Sequence, residues 1–155
     1  MSLAIEAFVD NVRRFCEWAE SCTHDVLTAR QLLLALMQGI PYLIISDARY
    51  RRPDFTRRDH GDDDWKKDRS RFSDFPFQSY REAFSPCDLD DNAPFSGDVH
   101  HDFAVIYRDL SHGLQAQDRG DGVFAVCYWR DSYFQRWGRQ ASSAVYAIDE
   151  YYRKT

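Results

Sequence analysis

Seven charged residues in the C-terminal half could meet between two neighbouring helices. They are Asp102, Arg108, Asp109, Arg130, Asp131, Arg136 and Arg139. Carboxylates and guanidinium groups held away from water have shifted pKa values, so such a group could move protons or hold a polar ligand. The same residues could instead form ion pairs that fix how the helices align. We favour ion pairs, and keep a polar pocket between the helices as the functional alternative.

A second cluster, at the start of the first of these helices, has the residue types of a metal site. Asp98, His101 and Asp102 could coordinate zinc, manganese or iron, and with Asp109 they would suit a metal-dependent hydrolase. However, His100 and His101 project about 100° apart on a helix. Carboxylates are also favoured at a helix N-terminus by the helix dipole alone. The sequence therefore favours helix stabilisation here, and we predict no cofactor.

The acidic segment before this helix partly matches a calcium-binding loop. Asp88, Asp90 and Asn92 occupy the first, third and fifth positions. The sixth position requires glycine and the twelfth a bidentate glutamate, but these are Ala93 and Val99. We therefore expect residues 87–96 to form a solvated acidic loop.

An arginine-rich stretch follows the second helix. Its basic residues are Arg49, Arg51, Arg52, Arg57 and Arg58, interleaved with Tyr50 and Phe55. Arginine with aromatic residues is typical of segments that contact phosphates and stack on bases. The acids Asp59 and 62–64 come directly afterwards, and the whole chain has a net charge of -5. We expect the two blocks to neutralise each other, which makes nucleic-acid binding the less favoured alternative.

The cellular setting is predicted from general features. Four cysteines, Cys16, Cys22, Cys87 and Cys127, lack metal-site spacing and are expected to be free thiols. No secretory signal is recognisable at the N-terminus. The apolar stretch 32–45 falls short of the roughly 20 residues that span a bilayer. We expect a cytoplasmic protein that does not use a membrane.

Hydrophobic periodicity predicts an all-α fold: residues 1–155 form one helical bundle of about five helices, with a long charged connection over 47–76. The predicted helices are 3–20, 28–46 with a kink or break before Pro41, 65–72, 77–84, 98–118 and 121–154. A capping box of Thr28 and Gln31 begins the second helix. Gly120 suits a tight turn that makes the last two helices antiparallel.

The last predicted helix is apolar around most of its circumference, so we expect it at the centre of the bundle. Trp129 and Trp137 are expected to be largely buried, and Phe134 to lie on a second inward face. Glycine inside a helix costs up to about 1 kcal/mol relative to alanine. We therefore predict that another helix approaches closely at Gly138.

Three segments resemble one family. They read YREAFSP at 80–86, FAVIYRDL at 103–110, and Trp129 with Phe134 and the Trp-Gly-Arg of 137–139. In these segments the chain resembles DUF5063, a bacterial family of small proteins defined as a domain of unknown function. Members read His-Trp-Gly-Arg-His where this chain has Arg136 and Gln140 at the flanks, so no role of those histidines transfers. The resemblance implies a helical fold and no particular activity.

The sequence contains no phosphate-cradling glycine loop, nucleophile elbow or zinc-spaced cysteine motif. Together with its acidic balance and long charged connection, this favours a non-enzymatic protein-interaction module with a protein partner, such as an adaptor or an immunity-like protein. The metal-dependent hydrolase and the nucleic-acid binder remain the alternatives.

Overall fold

A computed structural model describes residues 2–46 and 62–155. Over these residues the elements are α1 (Leu3–Glu20), α2 (Val26–Ile44), α3 (Asp62–Ser70), β1 (Ser79–Ala83), β2 (Pro94–Asp98), α4 (Val99–Asp118), α5 (Gly122–Ser132) and α6 (Gly138–Lys154). A π-helical turn, Tyr133–Trp137, joins α5 to α6. The all-α prediction is confirmed. The predicted nucleic-acid contacts at Arg49, Arg51, Arg52, Arg57 and Arg58 lie outside the described residues.

The second helix begins earlier than the capping-box prediction. Asp25 is the N-cap, because its Oδ2 accepts hydrogen bonds from the Thr28 backbone N–H at 2.9 Å and the Thr28 hydroxyl at 2.7 Å. Of the predicted kink or break before Pro41, the break is wrong, since α2 continues through Pro41 to Ile44. Pro41 is exposed while Ile40 and Leu43 on either side are buried, so packing against the core holds the last turn.

By length and composition α2 could also cross a membrane, with a mean hydropathy of 1.2. A core helix of a water-soluble protein passes the same test, so this single helix is weak support for a membrane span. Its exposed side carries Leu27, Leu34, Tyr42 and Ile44.

The structure corrects the predicted helix over 77–84. This segment forms β1, which pairs antiparallel with β2 so that Tyr80 lies opposite Gly97 and Glu82 opposite Phe95. Tyr80 and Glu82 are half-buried while Ser79, Arg81 and Ala83 are exposed, the period-two alternation of a strand with one covered face. An isolated two-stranded hairpin is marginal in water, so this one depends on the helices it covers. The acidic loop ends earlier than predicted, because residues 94–96 already belong to β2.

The helices α5 and α6 form one continuous rod, and the π turn between them shifts the helical register. Trp129 and Trp137 are both fully buried, as predicted. Eight residues of α-helix would turn Trp137 by about 80° away from Trp129. The π turn accommodates one extra residue, which brings the two indoles to within about 20° of the same direction. The same rotation carries Phe134 to the surface at 65% exposure, so its predicted burial is wrong.

Two glycines pack closely against another helix, Gly39 against Phe8 and Gly113 against Trp129, whereas Gly138 does not. A Cβ at Gly113 would lie 2.2 Å from the Trp129 indole nitrogen, which donates to the Leu110 carbonyl at 3.1 Å. A Cβ at Gly138 would instead lie 2.5 Å from the Tyr133 carbonyl of the π turn. The prediction of a second helix at Gly138 is therefore wrong, because the crowding is within the same rod.

The core lies between α1, α2, α4 and the α5–α6 rod. A turn at Gly120, with φ of 87°, returns the chain so that α4 and α5 pack antiparallel. Residues after α3 close one end, where Phe72 and Phe75 pack against Phe103. The hairpin lies over α4 and α6, and this placement creates the site described next.

Candidate functional site: a groove beside the hairpin

Two adjoining cavities, of about 350 and 380 Å³, open between the hairpin and the helices α4 and α6. We call them together the hairpin groove. The first is lined by Arg69, Glu82, Phe95, Ser96, Gly97, Asp98, His101, Asp102, Arg139, Gln140 and Ser143. The second is lined by Glu82, Ala83, Pro86, Arg139, Ser142, Ser143 and Tyr146. Glu82, Arg139 and Ser143 belong to both cavities, so they mark the middle of the groove.

Secondary structure explains how these side chains converge. The alternation of β1 turns Tyr80 and Glu82 towards the helices. Asp98 ends β2 and caps α4, where its Oδ1 accepts from the His101 backbone N–H at 3.1 Å. Asp102 follows one turn later. Residues 139–143 come from the start of α6, directly after the π turn.

Asp102 is the most perturbed acid of the groove. Its residue is 5% exposed, and the Tyr80 hydroxyl donates a hydrogen bond to its Oδ2. Burial raises the pKa of Asp102 to about 7, and the negative charges of Glu82 and Asp98 act in the same direction, against the Tyr80 hydrogen bond and Arg139. Burial and the neighbouring Asp102 charge also raise the pKa of Tyr80, which keeps that phenol protonated. The Asp102 carboxyl is therefore partly protonated near neutral pH.

Arg139 crosses the centre of the groove. Its guanidinium lies 3.9 Å from Glu82 Oε1 and donates to the Phe84 carbonyl at 3.1 Å. It also lies over the rings of Phe84 and Phe95, 5.7 and 5.5 Å from their centroids. The other Glu82 oxygen accepts from Ser143 Oγ at 2.7 Å. These contacts tie both strands of the hairpin to α6.

The far wall of the first cavity contains a second ion pair, between Arg69 Nη2 and Asp98 Oδ2. Burial acts to raise the pKa of Asp98, but hydrogen bonds from the His101 amide and Gln78, with the Arg69 charge, hold it below its usual value. Two buried polar atoms of the cavity residues lack partners among the described residues. They are the donor Arg69 Nε and the acceptor Gln140 Oε1.

The charged residues predicted to form one inter-helix pocket lie in different places and make separate contacts. Asp102 and Arg139 line the groove. Asp109 lies elsewhere, where it is 5% exposed and accepts two hydrogen bonds from Arg136, at 3.0 and 2.9 Å, and one from Tyr128 at 2.9 Å. This bidentate pair joins α4 to the π turn, which fits the structural alternative.

The remaining members of that prediction also pair locally. Arg108 Nε donates to Asp68 at 2.6 Å, and its guanidinium lies over the Trp65 ring. Arg130 pairs with its neighbour Asp131 at 2.9 Å. Neither pair lines either cavity, so a single pocket combining all seven predicted residues does not form.

The candidate metal ligands are not arranged as a metal site. Within residues 2–46 and 62–155, no three His, Cys, Asp or Glu side chains are grouped to hold an ion. Asp98 pairs with Arg69, His101 packs against Trp65 with ring centroids 4.9 Å apart, and Asp102 binds Tyr80. In the acidic loop, the Asp88 carboxylate accepts from the Asp90 backbone N–H at 3.1 Å, so it stabilises the loop itself.

Sequence reasoning missed the part of the groove contributed by the hairpin, including Tyr80, Glu82 and Phe95. The reason is that residues 77–84 were predicted as a helix and residues 87–96 as a solvated loop, so no pairing of the two segments beside Asp102 was expected. The available signal was the polar alternation around Tyr80 and Glu82 followed, after a loop, by a Phe-Ser-Gly run.

Comparison with known proteins gives one finding. A family model described as Domain of unknown function (DUF5063) matches residues 1–153. No curated protein and no solved structure matches the sequence. Since the family model covers nearly the whole chain, including the hairpin and both N-terminal helices, the chain belongs to the DUF5063 family.

Proposed function

We propose that this protein is a non-enzymatic protein-interaction module that binds a segment of a partner protein in the hairpin groove. The observation that carries the proposal is the continuity of the two cavities through Arg139. Together they form one groove that is open to solvent, rather than a closed pocket, and the three shared lining residues connect its two halves. An adaptor and an immunity-like protein would both act in this way, and we expect that action in the cytoplasm.

The residue types around the groove support recognition of a protein. Phe84 and Tyr146 are 55% and 56% exposed, and Phe95 is 36% exposed. Aromatic residues and arginine are enriched in the energetically dominant centres of protein interfaces. Arg139 already lies over Phe84 and Phe95, so the surface is ordered before binding and loses little side-chain entropy on association.

The groove contacts favour binding over catalysis. Ser143 donates its hydroxyl proton to Glu82, and Glu82 also faces Arg139. Both side chains thus hold the hairpin against α6, which is a structural use of the pair. The hydrolase alternative would need ligand groups that the described residues do not bring together. The nucleic-acid alternative would depend on the Arg49–Arg58 stretch, away from this groove in sequence.

An affinity capture from the native host tests the proposal when three versions of the protein are compared. A double variant, Phe95→Ser with Tyr146→Ser, removes one exposed aromatic side chain from each cavity. The control, Phe134→Ser, removes an exposed aromatic that lines neither cavity. We expect one protein to be retained by the wild type and the control and lost from the double variant. Equal retention by all three would show that the groove is not the interface.

A further inference from the structure

We propose that the first cavity of the hairpin groove receives a basic side chain, lysine or arginine, from the bound partner segment. This inference rests on the proposed function, because it names the chemistry that the interaction surface selects. The receiving group is the Asp102 carboxylate, with Gln140 as a second acceptor.

The charges that line the cavity support this choice. Three carboxylates, on Glu82, Asp98 and Asp102, face two guanidinium groups, on Arg69 and Arg139. Arg69 pairs with Asp98 and Arg139 lies beside Glu82. With every acid ionised, the cavity therefore has one negative charge in excess, at Asp102. A buried carboxylate without a counter-charge is unfavourable, so it must bind either a proton or a cation.

The unpartnered hydrogen-bonding atoms point in the same direction. The Tyr80 hydroxyl donates to Asp102 Oδ2, and no other described residue donates a hydrogen bond to this carboxylate. Gln140 Oε1 is also a buried acceptor without a described partner. An ammonium or guanidinium group supplies several donors and no acceptor, which matches these two atoms.

Competition between a proton and the cation makes binding dependent on pH. The groups facing Asp102 are Tyr80 and Glu82 on β1, Asp98 on β2, His101 on α4, Arg139 on α6 and Arg69 on α3. Burial lowers the pKa of His101, so this imidazole is neutral near pH 7. Burial raises the pKa of Asp102 to about 7. Binding of a cation should therefore weaken as the pH falls below about 7, by up to about tenfold per pH unit.

The test is a titration of the intact protein followed by NMR chemical shifts, with blocked amino acids as probes. Nα-acetyl-lysine amide and Nα-acetyl-arginine amide carry the cation, and Nα-acetyl-norleucine amide is the uncharged control of similar shape. At pH 8 we expect at least one cationic probe to shift the signals of groove residues, and to bind about tenfold or more tightly than the norleucine probe. Equal binding of all three, or no binding of either cation, would overturn the inference.

Substitutions that remove one negative charge test whether the cationic probes bind to the Asp102 carboxylate. Asp102→Asn should weaken the cationic probe about tenfold or more. Asp90→Asn removes the same charge from an exposed loop outside both cavities. This control variant should bind the cationic probe as tightly as the wild type does. If Asp102→Asn does not fold, Glu82→Gln provides a second loss of charge in the cavity. Tight binding by the Asp102 or Glu82 variant would contradict the assignment. Failure of the probes with partner capture intact refutes only this inference, whereas loss of the groove dependence of capture refutes the proposed function.

Discussion

Replacing Asp102 by asparagine should make the protein more stable at alkaline pH and leave it almost unchanged at acidic pH. Burial raises the pKa of this carboxyl from 3.8 to about 7 in the folded protein. The folded state therefore binds the proton more tightly than the unfolded state does. As a result, the free energy of unfolding contributed by this group falls as the pH rises from about 4 to about 7. Asparagine is neutral, like the protonated acid, and can still accept from Tyr80.

The magnitude follows from the same pKa values. A shift of about 3 pKa units corresponds to about 4 kcal/mol of unfolding free energy, at 1.36 kcal/mol per unit. Urea unfolding curves at one-unit intervals from pH 4 to pH 8 give the free energy of unfolding of both proteins. The effect is the difference in this free energy between Asp102→Asn and the wild type. That difference should rise by about 4 kcal/mol in favour of the variant. The same curves for Asp90→Asn, at an exposed position, should show no comparable rise. A pH-independent difference, or a variant that loses stability relative to wild type above pH 7, would refute the account of a buried carboxylate without a counter-charge.

Three further substitutions test the packing around the rod, each by urea unfolding. Trp137→Ala should cost about 3–5 kcal/mol, because a fully buried indole is removed; a loss below about 1 kcal/mol would place the rod at the surface. Gly113→Ala should destabilise by about 1–3 kcal/mol, because the new Cβ meets the Trp129 indole, and unchanged stability would contradict that contact. Arg136→Ala should cost about 1–3 kcal/mol, because it leaves Asp109 buried without its bidentate partner. An effect no larger than that of Arg153→Ala, an exposed arginine, would show that this pair is not structural.

The helical architecture was predictable because it depends on local patterns. Amphipathic periodicity located α1 and α4 to within one residue, and the glycine at position 120 located the turn that follows. Trp129 and Trp137 were identified as core residues from their apolar surroundings. These features require no knowledge of which segments meet in space, and so a single sequence reveals them.

The hairpin and the π turn were not predictable in the same way. β1 owes its conformation to pairing with β2 and to the cover of α4 and α6, which are contacts across the chain. Propensity over 77–84 could not reveal them. The π turn is selected because it allows Trp129 and Trp137 to be buried together. One residue of shift there moved Phe134 to the surface and made Gly138 pack against its own rod.

Only part of the site could be recognised from residue types. Asp102 and Arg139 were predicted as pocket residues, but their partners came from the hairpin. The raised pKa of Asp102 is a consequence of burial beneath Tyr80, which no spacing of acids in the sequence encodes. Asp109 was also predicted as a pocket residue, but its carboxylate accepts hydrogen bonds from Arg136 and Tyr128 instead of lining the groove.

Photo-crosslinking in the native host is the most direct test of the claim that the hairpin groove is the recognition surface. A photoreactive phenylalanine analogue would replace Tyr146 in the groove in one protein and Phe134, outside it, in another; both positions are exposed. We predict a crosslink from position 146 to the protein that affinity capture recovers, and no crosslink to that protein from position 134. Crosslinking to the captured protein from position 134 but not from position 146 would contradict the account.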